Sequence, residues 1–203
     1  MSKNLILSVL LPAITFSVFC FGQANKPAID YLSVPGPIVF DKKSYNLSWS
    51  SHPSPDFYKH EYIEKGDPAD SYKVMILMDV IAGASDLKSV VASKITELKK
   101  LKEGNPMVNY QSFENTKQGE YMIDFILSAN AADGKTMSAV ERNVYRYKTF
   151  TDNSGKANIL LFGVSTRAYG ANIDYFLNSL KTNKNDLVNK VSQFNIPKIV
   201  IRN

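Results

Sequence analysis

The sequence predicts an α+β fold in which helices pack on one antiparallel sheet of six to seven strands. Three features predict this class: an apolar run at residues 74–81, one long amphipathic helix after it, and four strand-like segments in succession after the helix. The chain has 203 residues, of which 44% are apolar and 21% are charged. It is therefore long and apolar enough to bury the core of a single globular domain.

The segments before the helix are extended. Tyr45, Leu47 and Trp49 alternate with polar residues, as in a half-buried strand, and an extended course resumes at residues 57–63 after a proline-containing turn. Residues 74–81 are apolar at both odd and even positions except at Asp79. This pattern is typical of a central strand that is covered on both faces.

The helix begins near Ser85, where a hydroxyl can cap it, and ends at residues 104–106, with Lys94 in the middle of its apolar arc. The strand-like segments after it are residues 107–113, 120–129, 135–150 and 157–167. Because only short turns separate these segments, they form a C-terminal four-strand meander. A closing helix follows Gly170, and residues 199–201 are a candidate short strand.

Residues 1–24 have the pattern of a signal peptide: Lys3, then an uncharged run at residues 5–21, then small or polar residues up to Ala24. We expect cleavage near Ala24. An uncleaved anchor is one alternative, and a lipoprotein acylated at Cys20 is another. The bulky Phe19 beside Cys20 argues against lipid attachment.

Removal of the leader would leave 179 residues with a net charge of +4 and no cysteine. Such a chain suits an oxidising compartment and excludes thiol catalysis. The charge is too small to indicate nucleic acid but favours weak attraction to acidic envelope components. We expect residues 25–43, which hold three prolines, to form a surface strap and residues 44–203 to form one α+β domain.

The order of elements resembles the PsbP-like fold, an α/β sandwich. The resemblance covers residues 44–194 and rests on the aromatic strand around residues 45–49, the capped helix from Ser85, the meander and the closing helix at residues 173–180. It implies a non-enzymatic accessory role. No functional residue is carried over from it.

The common catalytic and metal-binding motifs are absent. His52 and His60 are eight residues apart and match no metal-binding spacing, so we predict neither a metal nor a cofactor. The chain has no G-x-S-x-G or S-x-x-K sequence and no glycine-rich phosphate loop.

Asp79 and Asp124 each interrupt an apolar strand segment. They are candidates for an acid–base pair, but a buried carboxylate is usually paired with a cation. We therefore predict that Lys94 contacts Asp79 or Asp124, with Arg142 as another available partner. A small periplasmic hydrolase built from Asp79, Asp124 and His60 is the alternative function.

Two candidate binding surfaces remain. If Phe150 lies opposite Ala157 in the last hairpin, one sheet face carries a row of cations, namely Arg142, Arg146, Lys148 and Arg167. The second surface is the aromatic stretch that includes Trp49, Tyr58 and His60, suited to stacking on sugars or peptides. The alternatives are a solvated face for the cations and core positions for the aromatics.

Together these features predict an exported, periplasmic or secreted protein that binds a protein or an acidic envelope component without catalysis. The oligomeric state and the ligand cannot be deduced from the chain. The membrane enters this prediction only through the leader.

Overall fold

The computed structural model describes residues 27–202, so the leader at residues 1–24 lies outside the described residues. The strands are β1 (Ile38–Phe40), β2 (Lys43–Ser54), β3 (Phe57–Glu64), β4 (Val74–Ala82), β5 (Asn109–Asn115), β6 (Glu120–Asn130), β7 (Met137–Thr151) and β8 (Ala157–Tyr169). The helices are α1 (Leu87–Gly104), α2 (Ile173–Thr182) and α3 (Asp186–Gln193).

All eight strands belong to one antiparallel sheet in the order β1-β2-β3-β4-β8-β7-β6-β5. Two meanders, β1–β4 and β5–β8, meet where β4 pairs with β8. The α+β class, the single antiparallel sheet and the C-terminal meander are confirmed. The predicted count of six to seven strands is wrong, because residues 38–40 inside the expected strap form an additional edge strand.

The sheet is covered on both faces. On the face that we call the α1 face, α1 packs over apolar residues of β6 and β7 such as Ile123 and Tyr145. On the face that we call the strap face, residues 31–34, α3 and the C-terminal residues 194–201 cover Tyr62, Met78 and Phe162. β7 is therefore buried on both sides over most of its length.

The C-terminal residues form no strand. They instead bind the N-terminal strap: Val200 N–H donates to the Leu32 carbonyl over 3.0 Å, and Arg202 N–H donates to the Tyr31 carbonyl over 2.8 Å. Leu32 and Val34 are buried, so the strap contributes side chains to the core as well as lying along the surface.

The turn between β7 and β8 sets which side chains share a face. Asp152 N–H donates to the Lys156 carbonyl over 3.0 Å, and Gly155 has a φ of +81°, so the chain reverses over the three residues 153–155 that lie between this pair. Thr151 therefore lies opposite Ala157, and Phe150 opposite Asn158. The expected register was wrong by one residue, because a four-residue connection was assumed, and such a slip moves one strand's side chains to the other face.

Candidate functional site

The predicted cationic row does not form, because the corrected register moves Arg167 to the other face and because Arg142 and Arg146 are paired with carboxylates. Arg142, Arg146 and Lys148 point to the strap face, and Arg167 points to the α1 face. Arg142 donates to both oxygens of Asp124 over 2.9 Å each, and Arg146 donates to both oxygens of Glu120 over 2.9 Å each. Both arginines are buried and neutralised. This face is therefore part of the core.

Arg167 is also engaged. Its guanidinium forms an ion pair with Glu141 and lies 4.2 Å from the centre of the Tyr72 ring. The Tyr72 hydroxyl donates to the same carboxylate over 2.7 Å. Arg167 thus belongs to a structural network on the α1 face.

The aromatic stretch of β2 and β3 is divided between the two faces of the sheet. Tyr58 and His60 are buried on the strap face. Trp49 lies on the α1 face, opposite Glu61, and is 37% exposed. Of these three predicted site residues, only Trp49 is available to a partner.

His60 ties the strap to the sheet. The Tyr62 hydroxyl donates to the Val34 carbonyl over 2.7 Å, so at the 3.0 Å contact between His60 Nδ1 and the Tyr62 hydroxyl the imidazole is the donor. His60 Nε2 accepts the Tyr31 N–H over 3.0 Å. Burial lowers the pKa of this imidazole, against the opposing influence of Asp30, and the neutral ring fits both contacts.

The three residues of the hydrolase alternative do not converge. Asp124 and His60 lie on the strap face, where Asp124 is paired with Arg142 and His60 holds the strap. Asp79 lies on the opposite face. These side chains cannot act on one substrate atom.

Lys94 is buried on the inner side of α1, as the helical spacing predicts. Its ammonium group binds Glu97 over 2.9 Å and lies 5.1 Å from the centre of the Phe125 ring. Among residues 27–202 it forms no ion pair with Asp79 or Asp124, so the predicted contact is replaced by a bond within the helix. Lys94 nevertheless shares a pocket with Asp79.

This pocket lies between α1 and the sheet and has a volume of about 50 Å³. Polar groups converge on it within a mainly apolar wall. The side chains in its lining that carry a polar group are Lys59, Asp79, Lys94, Tyr145 and Tyr147, and the apolar ones include Phe57, Val90 and Leu161. We call it the Asp79 pocket. The combination of an apolar wall with a few convergent polar groups is typical of a binding site, although the volume is below the roughly 300–1,000 Å³ of a small-molecule pocket.

The carboxylate of Asp79 is the unsatisfied group of this pocket. It is 6% exposed, and its Oδ1 has no hydrogen-bond partner among the residues that the structure describes. Burial raises the pKa of Asp79 to about 6, although Lys59 and Lys94 oppose the shift. The buried Asp79 carboxylate thus reduces the stability of the fold, and its Oδ1 can accept a hydrogen bond from a ligand.

Other buried carboxylates show how unusual this is. Glu120 and Glu141, the other two fully buried carboxylates among residues 27–202, each have an arginine partner within the fold. Of two half-buried carboxylates, Asp124 is paired with Arg142 and Glu61 has no ion pair among these residues. Lys59 lies directly across the strand pair from Asp79 but forms no ion pair with it. Because buried polar groups in folded proteins are nearly always hydrogen-bonded, the Oδ1 of Asp79 calls for a partner outside the side chains described, and a ligand is one such partner.

Glu61 adds a second perturbed carboxyl on the same face. Burial raises its pKa to about 7, with Asp79 contributing to the rise and Lys59 opposing it. Burial also raises the pKa of Tyr145 and Tyr147 well above the ordinary range, so both hydroxyls stay protonated and can donate. Titratable groups perturbed together around a pocket mark a candidate functional site.

The backbone helps to shape the pocket at Gly163. Gly163 lies opposite Tyr145, and a Cβ at this position would come within 2.8 Å of the Tyr145 ring. The absence of a side chain lets the ring lie flat over β8. Gly163 therefore positions one wall of the pocket.

Beside the pocket, the α1 face continues onto β2 and β3 as a partly open surface formed by Trp49, Phe57 and Lys59. The Lys59 ammonium lies 6.0 Å from the centre of each aromatic ring. We call these three residues the Trp49 shelf. It offers two aromatic faces and one cation to a ligand that also reaches the pocket.

The sequence patterns indicate Asp79 and Trp49 as site residues. They do not indicate that Lys59, Glu61, Tyr145 and Tyr147 lie near Asp79. The charge within an apolar strand was the available signal for Asp79. The neighbours follow only from the strand register, which pairs Lys59 with Asp79 and places Tyr147 two strands away in the same row.

Metal-binding clusters and membrane-spanning helices are both absent from residues 27–202. No cluster of three or more His, Cys, Asp and Glu side chains has an arrangement that could hold a metal ion. No helix in this range has the length and hydropathy needed to cross a membrane.

A protein-family model matches residues 32–196. The chain belongs to this family. The matched range contains all the residues that line the Asp79 pocket, so the pocket lies within the domain that defines the family. No curated protein and no solved structure matches the chain.

Proposed function

We propose that this chain is an exported, non-enzymatic binding or accessory protein of the cell envelope, which holds a partner protein at the Asp79 pocket and the Trp49 shelf. The observation that carries the proposal is the unpaired carboxylate of Asp79, since the other two fully buried carboxylates among residues 27–202, Glu120 and Glu141, are both paired with arginine. The resemblance to the PsbP-like fold supports an accessory role and is itself part of the proposal.

The size of the pocket favours a partner protein over a whole small molecule. A cavity of about 150 Å³ is known to hold benzene, and the Asp79 pocket has only about 50 Å³. It can therefore receive only the end of a larger group, such as one anchor side chain with a hydrogen-bond donor for Asp79. The exposed Trp49 shelf would contact the rest of the partner.

Export is the second part of the proposal. It is supported by the uncharged run at residues 5–21 and by the lack of cysteine after residue 20. The test is fractionation of cells that produce the full-length chain with a C-terminal tag, followed by N-terminal sequencing. We expect the tag in the envelope or outside the cell and a new N-terminus after Ala24. A soluble cytosolic product with an intact leader would refute export.

Binding is tested by placing a photo-crosslinking amino acid at Trp49 in the producing cell, with Tyr175 on α2, 80% exposed, as the control position. We expect a discrete adduct from position 49 and none from position 175. Asp79→Asn should abolish the adduct, whereas Asp70→Asn at an exposed site should not. Equal adducts from both positions, or an adduct that survives Asp79→Asn, would contradict the proposed site.

A further inference from the structure

From the edge strand β5 and the charges around it, we infer a second interaction surface, which takes an acidic, extended segment of a partner protein as an added strand. This surface lies at the other end of the sheet from the Trp49 shelf. None of the residues that form this surface lines the Asp79 pocket.

β5 is a free sheet edge. It is the last strand of the sheet and pairs only with β6. Six of its seven residues are exposed, and Tyr110 is partly exposed. The strand at the other edge, β1, has three residues and offers a much shorter template.

β5 also lacks the features that usually protect an edge. Its sequence contains no proline and no lysine, and its pairing with β6 continues without a bulge from Asn109 to Asn115. Its one charged residue, Glu114, accepts a hydrogen bond from the Tyr121 hydroxyl over 2.8 Å. An unprotected edge of this length is a template for strand addition.

Two open grooves follow the first residues of β5, one on each face. The strap-face groove, between β5 and α2, has a volume of about 530 Å³, and the α1-face groove, between β5 and the end of α1, has about 470 Å³. Asn109 and Tyr110 line both grooves. A strand added to β5 would have room for its side chains on either face.

Each groove contains two exposed lysines. Lys99 and Lys102 line the α1-face groove, and Lys181 and Lys184 line the strap-face groove. None of the four forms an ion pair with an acidic side chain within residues 27–202. The ammonium groups of Lys102 and Lys181 donate hydrogen bonds to the neutral side-chain amides of Asn109 and Asn178, respectively.

The four lysines favour an added strand that carries acidic side chains. Side chains of a strand alternate between faces, so acidic residues at either parity would meet lysines. The acidic residues that line the grooves are Asp124, already paired with Arg142, and Glu103. The surface is therefore complementary to an acidic segment.

A second copy of this chain is a poor occupant. In antiparallel pairing of two β5 strands, Asn109 of one copy lies opposite Asn115 of the other, and β5 has a single acidic residue, Glu114, to offer to the lysines of the partner. The charge pattern instead favours a different, acidic chain.

The test uses the chain as purified from the producing cell and a synthetic eight-residue peptide of alternating glutamate and threonine. A second peptide has the same sequence with alternate backbone amides N-methylated, which keeps the charge but removes strand hydrogen bonds. Binding is measured by isothermal titration at low and high salt. We expect the first peptide to bind, and N-methylation to weaken binding about tenfold or more, since several backbone bonds are lost.

Variants separate charge from backbone pairing. Lys102→Glu with Lys181→Glu should weaken binding of the acidic peptide about tenfold or more. The matched control, Lys65→Glu with Lys73→Glu, makes the same change of charge at exposed sites away from β5 and should have little effect. Ser112→Pro should remove strand addition, and the lysine variants keep the test valid if Ser112→Pro does not fold.

Several outcomes would overturn the inference. These are no binding of the acidic peptide, equal binding of the N-methylated peptide, or equal effects of the two lysine pairs. Self-association of the wild-type chain that Ser112→Pro abolishes would show a second copy as the occupant instead. Asp79→Asn should leave peptide binding unchanged, so this inference and the proposed function can fail separately.

Discussion

At the scale of single residues, the buried carboxylate of Asp79 lowers the stability of the free protein and is also the acceptor that we propose for a ligand. Burial raises its pKa to about 6 from an ordinary 3.8, so the folded chain resists its ionisation. Groups that serve a binding site often reduce the stability of the free protein, because their partner is the ligand. Asp79 should therefore be a position where stability and binding respond in opposite directions.

Replacing Asp79 with Asn should stabilise the protein at pH 8 by about 1–3 kcal/mol, because the isosteric amide removes a buried charge. The folded pKa lies above the unfolded pKa, so the folded state binds more protons between pH 4 and pH 6 and the cost is complete only above pH 6. The gain should therefore shrink as the pH falls toward 4. Urea unfolding followed by Trp49 fluorescence at pH 4, 6 and 8 measures it.

Asp70→Asn, at an exposed position, is the control for this substitution and should leave the free energy of unfolding nearly unchanged. A loss of stability in Asp79→Asn at pH 8 would show that the carboxylate has a structural partner. That result would remove the main support for the Asp79 pocket.

His60 should produce a pH dependence of the opposite sign. Its folded pKa is lowered below 6.5 by burial, so the unfolded state binds more protons below that pH. In the Asp79→Asn background, the contribution of His60 to the free energy of unfolding should fall by up to about 1.4 kcal/mol per pH unit as the pH decreases below 6.5. Glu61, with a pKa raised to about 7, contributes the opposite slope, so the contribution of His60 is the difference between variants that have and lack the ring.

His60→Gln in the same background should weaken this dependence, and His52→Gln, at an exposed ring, should keep it. The measurement is urea unfolding between pH 5 and pH 7.5. Equal pH dependence in the His60→Gln and His52→Gln proteins would exclude His60 as its source.

At the scale of elements, β7 shows how arginines can be core residues. Arg142 and Arg146 lie on one side of the strand and Tyr145 and Tyr147 on the other, and all four are buried. The guanidinium groups are accepted in the core because carboxylates of β6 bind them with two hydrogen bonds each. Each arginine stabilises the fold only together with its carboxylate partner, because either charge alone would be buried without a counter-charge.

Arg146→Met alone should cost about 3–5 kcal/mol of stability, because Glu120 would keep only Lys148 at 3.8 Å and the carbonyls of Val191 and Phe194 would lose their donor. Arg146→Met combined with Glu120→Leu should cost less, because the carbonyl contacts are still lost but no poorly paired charge is left. Chemical denaturation of both variants and of Glu120→Leu alone gives the coupling energy. Additive effects of the two single changes would show that the ion pair does not couple them.

The same element shows what the sequence can and cannot predict. The periodicity of β4, α1 and the meander predicts their type and order, because local spacing determines which residues can be buried together. The face of Arg167 depends on whether three or four residues turn between β7 and β8, a difference decided by the Asp152 contacts. The Asp79 pocket depends on that register and on distant strands, so local patterns reveal only Asp79 and Trp49.

At the scale of the whole molecule, the strap face is closed by segments from the two ends of the described chain. Residues 31–34 and 199–202 bind each other by backbone hydrogen bonds, and Leu32, Val34 and Ile199 are buried with Val191 of α3. Local periodicity cannot predict such a closure, because the contacts join residues more than 160 positions apart. The α1 face, in contrast, is closed by a helix that lies between the two meanders in sequence.

This difference predicts that the two faces lose structure separately when the tail is removed. Deletion of residues 198–203 should cost about 3–5 kcal/mol, since it exposes the side chains of Ile199 and Ile201 and the strap beneath them. The strap should then be cut by protease within residues 27–37, while α1 and the meander stay protected, because local opening follows the missing contacts. Lys198→Ala, at an exposed position, is the control and should leave the strap resistant. If protease cut α1 as early as the strap, the molecule would unfold as a single unit, and the independent closure of its two faces would be refuted.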